Sequence, residues 1–132
     1  MEQQDLRHAL AELIGHQQDA ARAMLETLEA ERVALRELNG EGIEQLTRAK
    51  TEQLQQLEKL EADRVTLLAA AGFGSGETDM DRCLQESDPS GQLSDDWQEL
   101  LNSLECCQRE NRVNGGAIEL SRHRLQSVLT LL

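Results

Sequence analysis

The 132-residue chain has one tryptophan, one phenylalanine and no tyrosine. Sheets fill their pleated faces with aromatic and β-branched side chains, so this shortage argues for long helices packed through Leu, Ala, Ile, Val and Met. No run of about 18 apolar residues could span a bilayer, and Met1-Glu2-Gln3-Gln4-Asp5 lacks the basic start and apolar middle of a signal peptide. The expected location is the cytoplasm, with no membrane insertion. Positive charge is scarce as well: 13 Lys and Arg stand against 25 Asp and Glu, a net charge of -12. Such a chain repels phosphate backbones and anionic lipid, so nucleic acid is not an expected partner. The three cysteines, Cys83 and the adjacent Cys106 and Cys107, match no metal or redox spacing and read as reduced, small apolar residues.

What the sequence does have is leucine at helical spacing. Leu6, Leu10, Leu13, Ala20, Met24, Leu28, Leu35 and Leu38 recur mostly at three- and four-residue steps, which predicts a first helix over about 5–38. Asn39-Gly40-Glu41-Gly42 ends it, with a glycine expected in the left-handed conformation that closes a helix. Ile43, Leu46, Leu54, Leu57, Leu60, Leu67 and Leu68 predict a second helix over about 43–71, stopped by Gly72 with Phe73 folding back on the last turn. Residues 72–93 hold glycines, serines, acids and the only proline, Pro89. They read as a linker with at most a short helix from Asp79 to Glu86 capped by Thr78. A third helix is expected over about 95–132, capped by Ser94, with Asp95 and Asp96 suiting its dipole.

Within that third segment, Asn114-Gly115-Gly116 reads by dipeptide rules as a turn. Yet Leu100, Leu104, Cys107, Asn111, Asn114, Ile118, Ser121, Leu125, Val128 and Leu132 keep a heptad register straight through it. The register favours a continuous helix, at a cost of roughly 1 kcal/mol per glycine. Asn111 and Asn114 would then lie on the seam and fix which neighbour packs at which height. Helices of about 33, 29 and 39 residues extend roughly 45–60 Å, which makes the molecule an elongated antiparallel bundle of all-α class. Three helices leave Leu125, Val128, Leu129 and Leu132 short of cover, so a partner helix or a second copy of the chain is expected on that stripe.

Candidate chemistry is sparse. Glu12 and His16, like Glu119 and His123, stand four residues apart, whereas carboxylate-bridged metal bundles use Glu-x-x-His in two helices with further core glutamates. They read as exposed helix pairs. Gly72, Gly74 and Gly76 lack the preceding strand and following lysine of a phosphate loop. No cofactor, metal or catalytic residue is assigned, and an enzyme is not expected.

The order of these elements resembles a known family. Trp97, Leu100 and Leu104, followed by "NRVNGGAIELSRHRLQSVLTLL", resemble the third segment of the FlgN flagellar export chaperones, with Asn111, Asn114, Gly115, Ile118 and Leu125 on its pattern. Leu46, Lys50, Leu54, Leu57, Arg64, Leu67, Leu68 and Gly72 match the family's second segment. The resemblance implies a cytoplasmic, non-enzymatic chaperone that binds hook-filament junction (hook-associated) proteins, shields their association-prone helical ends and delivers them to the flagellar export apparatus. Ile118, Leu125, Val128, Leu129 and Leu132 are the expected client-binding residues. Relatives often carry a further tail, whereas this sequence stops at Leu131-Leu132 with the stripe still running. Heptads alone equally suit a structural adaptor that oligomerises through the same stripe.

Overall fold

The computed structural model describes residues 2–115, and these described residues form four helices and no strand: α1 (Gln3–Arg36), α2 (Gly40–Ala70), α3 (Glu77–Ser87) and α4 (Gln92–Val113). At 1.5 Å per residue, the 34 residues of α1 extend about 50 Å. A tight connection returns α2 antiparallel to α1, so that Gln53 of α2 reaches the Thr27 hydroxyl and Lys50 reaches Glu31. α4 lies along α1 and runs in the same direction: Gln18 Nε2 donates to the Asp96 carbonyl near its start, and Asn114 Nδ2 donates to the Leu28 carbonyl at its end. α3 packs on α1 and α4.

The leucine stripes meet along this arrangement. Leu10, Ile14 and Leu28 of α1, Leu68 of α2, Met80 and Leu84 of α3, and Leu100 and Leu101 of α4 are almost wholly removed from solvent. Burying one such side chain stabilises the fold by roughly 1.5–3 kcal/mol, before the entropy of ordering the chain is subtracted. Cys83 and Cys107 join this core as free thiols, and burial pushes the Cys107 thiol up to about 12.

The helix ends show where local sequence rules hold and where they fail. At Gly72 the expected stop forms: its φ is +86°, its N–H donates to the Ala69 carbonyl at 3.0 Å, and the Phe73 N–H donates to Leu68 at 2.8 Å. Those two bonds are the Schellman closure, and Phe73 folds back against the core. The same pair of bonds closes α1, from Leu38 to Leu35 and from Asn39 to Ala34. Here, however, the left-handed residue is Leu38, with φ +54°, and not one of the glycines that follow. Gly40 instead opens α2, and Asn39 caps it by accepting from the Gly42 N–H at 3.0 Å. Leu38 is 88% exposed, so its side chain gains almost no burial in return for a conformation that costs a Cβ-bearing residue about 1 kcal/mol. Leu38→Gly is therefore expected to raise the thermal midpoint by roughly 4 °C, measured by circular dichroism. A fall would show that the larger freedom of glycine in the unfolded chain outweighs the relief.

The expected caps of the last two helices are also replaced. α3 begins after Gly76, without a side-chain cap from Thr78. Ser94 lies inside α4, which starts at Gln92. The capping acceptor is Asp88, at the end of α3, whose carboxylate accepts from the Leu93 N–H at 2.9 Å and from the N–H and hydroxyl of Ser90 at 3.3 and 2.6 Å. The Ser90 hydroxyl, then the Leu93 amide, hold the Asp88 carboxyl below its ordinary value of 3.8. A lowered folded-state value means that this contribution is fully present above pH 3.8 and is lost as pH falls through the folded value. Asp88→Ala should destabilise the protein at neutral pH. In acid titrations followed by circular dichroism, its deficit relative to the natural chain should shrink once the pH drops below 3.8.

Candidate functional site

A polar cluster is built into the interior where α4 ends. Lys50 on α2 is 2% exposed, and its ammonium donates to both oxygens of Glu31 on α1, each at 3.1 Å, and to Asn111 Oδ1 on α4 at 2.5 Å. One lysine thus ties three helices at one height. Asn114, just past the last helical residue, donates through Nδ2 to the Leu28 carbonyl at 2.8 Å and to Glu31 Oε1 at 3.1 Å. Its Oδ1 accepts from Arg32 Nε at 3.4 Å. Arg32 also pairs with Glu110 at the half-exposed rim of the layer. A charge withdrawn from water is tolerated only when its hydrogen-bonding capacity is met, and Lys50 spends its donors on Glu31 and Asn111.

This layer corrects the reading of Asn114-Gly115. The heptad register predicts a helix running through these residues, but α4 stops at Val113. Gly115 has φ +66° and its N–H donates to the Arg112 carbonyl at 3.0 Å, a left-handed closure of the kind seen at Gly72. Two glycines make helix continuation costly, and Asn114 gains partners on α1 at the point where the chain turns.

The other family-motif positions lie in the interior. Trp97, Leu100 and Leu104 are buried along α4, and Asn111 faces Lys50. None of them presents a free surface. The expected client-binding residues Ile118, Leu125, Val128, Leu129 and Leu132 lie outside the described residues. So do Glu119 and His123. Glu12 is exposed and pairs with His8 at 3.5 Å, one turn before it, instead of with His16. Among the described residues, no group of three or more His, Cys, Asp or Glu side chains converges in a way that could hold a metal ion, and no helix is long and apolar enough to cross a membrane.

Sequence reasoning passed over the charged members of the core. Lys50 and Arg64 appeared only as elements of a family pattern, and Glu31 and Glu61 not at all, yet all four are buried. A signal was present: Lys50, Leu57 and Arg64 follow one another at intervals of seven, on the seam otherwise occupied by leucine. Charge masked it, because long charged side chains at such spacing are usually solvated.

Comparison with known proteins bears on the chain as a whole. Residues 1–132 match the family model described as FlgN protein. No curated protein and no solved structure matches the chain.

Proposed function

Since the chain belongs to the FlgN family, we propose that it is a cytoplasmic flagellar type III export chaperone. In this reading it binds the helical ends of hook-filament junction proteins, prevents their premature association and delivers them to the export apparatus. The observation that carries the reading is the family match over residues 1–132. The arrangement of the described residues supports it. The core is filled by side chains of α1 to α4, and the polar layer around Lys50 holds the end of α4 against the α1–α2 hairpin. The sequence that follows carries Ile118, Leu125, Val128, Leu129 and Leu132, which would share one face of a helix. An amphipathic client helix laid on that stripe gains roughly 25 cal/mol per Å² of apolar area buried, offset by the cost of ordering both segments.

The test is the double variant Leu125→Ser with Leu129→Ser, assayed by co-purification with junction proteins and by thermal unfolding. Binding should fall at least tenfold while the midpoint moves by less than about 2 °C, because the serines remove apolar contact with the client and leave the described core intact. If the midpoint collapses and binding declines only with it, these leucines are core and the client site lies elsewhere. Recovery of further copies of the chain alone, with no junction protein, would make the stripe an oligomerisation surface.

A further inference from the structure

A second polar level crosses the bundle two heptads away from the Lys50 layer. Counting fourteen residues from Lys50 along α2 leads to Arg64, from Glu31 back along α1 to Gln17, and from Asn111 back along α4 to Trp97. Because α2 runs opposite to α1 and α4, these three steps lead to the same height in the bundle. Two contacts confirm the level independently: Arg64 Cζ sits 5.4 Å from the centre of the Trp97 ring, and Gln18 bonds the Asp96 carbonyl. Gln17 and Arg64 are 3% and 1% exposed.

At this level two buried polar atoms, Gln17 Oε1 and Arg64 Nη1, have no hydrogen-bond partner among the described residues. One is an acceptor and the other a donor. Arg64 uses its Nε and Nη2 on the Glu61 carboxylate, with contacts from 2.6 to 3.2 Å. Its charge is therefore already balanced within α2. Leaving both remaining atoms unpaired would cost each of them its hydration, and buried groups in native proteins seldom accept that. We propose that a single ordered water bridges Gln17 Oε1 and Arg64 Nη1 beside the Trp97 ring. Such a bridge must donate to the amide oxygen and accept from the guanidinium, and water does both. An anion would meet the amide oxygen and the Glu61 carboxylate, and a cation would meet the guanidinium, so neither suits the place. One internal water per roughly 27 residues is ordinary for folded chains, at sites with polar partners such as these.

The bridge makes the Gln17–Arg64–Trp97 level a polar layer in its own right, matching the Glu31–Lys50–Asn111 layer. With two such layers, sliding α4 by one heptad in either direction sets Leu104 against Lys50, which then loses its Asn111 acceptor, or against Arg64, which then loses the Trp97 face. α4 is thereby held to one height on the hairpin.

A crystal structure of the full chain at a resolution that shows ordered solvent tests the site. Density for one water within hydrogen-bond distance of both Gln17 Oε1 and Arg64 Nη1 is the expected result. A direct Gln17–Arg64 hydrogen bond with no water, or no density between them, overturns it. Gln17→Met provides a second reading, since it keeps the volume and removes the acceptor. The bridge predicts that the thermal midpoint falls by about 4 °C or more, because the guanidinium loses its link across the seam. An unchanged or raised midpoint shows that Gln17 Oε1 was an unsatisfied burden, and also overturns the proposal. The crystal structure of the natural chain decides the matter even if the variant does not fold.

Discussion

Lys50→Met is expected to lower the unfolding free energy by about 3–5 kcal/mol, the range for removing one partner of a buried ion pair. The loss comes less from the missing attraction than from what remains behind. Glu31 keeps a buried charge whose remaining partner is the Asn114 amide, and Asn111 Oδ1 loses its 2.5 Å donor. Urea unfolding followed by circular dichroism measures the loss. The triple variant Glu31→Leu, Lys50→Met and Asn111→Leu should recover most of it, because apolar residues of similar size need no partners. That triple variant should also show mixed association states in light scattering, since only the Gln17–Arg64–Trp97 level then opposes a shifted register. A loss below about 1 kcal/mol for Lys50→Met would mean that the pair is screened by solvent as surface pairs are, and that the layer does not hold the helices together.

Trp97→Ala should cost about 3–5 kcal/mol, as truncation of a large buried aromatic usually does. Trp97 joins the core cluster from α4, and its ring is the face on which the Arg64 guanidinium rests. Truncation opens a cavity and exposes Arg64 to it, so the side chain that α2 contributes at this level loses its support. Trp97→Phe keeps a ring under the guanidinium and should recover more than half of the loss, because a cation over a phenyl face is still attracted. Equal losses for the two variants would show that volume alone matters and that the guanidinium stacking contributes nothing measurable.

The fold class was legible in the sequence because it depends on local quantities. The steps of three and four between leucines, the near absence of aromatics and the Gly72-Phe73 stop each act within one or two helical turns. They yield α1, α2 and the antiparallel hairpin, whereas residues 72–93, which read as a linker with at most a short helix over Asp79–Glu86, form the 11-residue α3, whose Met80 and Leu84 join the core. The family resemblance was legible for the same reason, since it rests on the order of those local elements, and the match over residues 1–132 agrees with it.

What only the tertiary structure decided are the choices in which local energies nearly balance. Heptad spacing says where Asn111, Asn114 and Ile118 would lie if the backbone were helical, and it is blind to whether the backbone stays so. The stop at Val113 accompanies a turn in which Gly115 takes positive φ and Asn114 finds the Leu28 carbonyl and Glu31 across the bundle. Leu38, not a glycine, takes the left-handed position because the α1–α2 connection must reverse the chain there. Lys50 and Arg64 enter the core because Glu31 and Asn111 meet the first and Glu61 and Trp97 the second. Except for Glu61, these partners come from other helices, and desolvating a charge is affordable only once they have assembled around it.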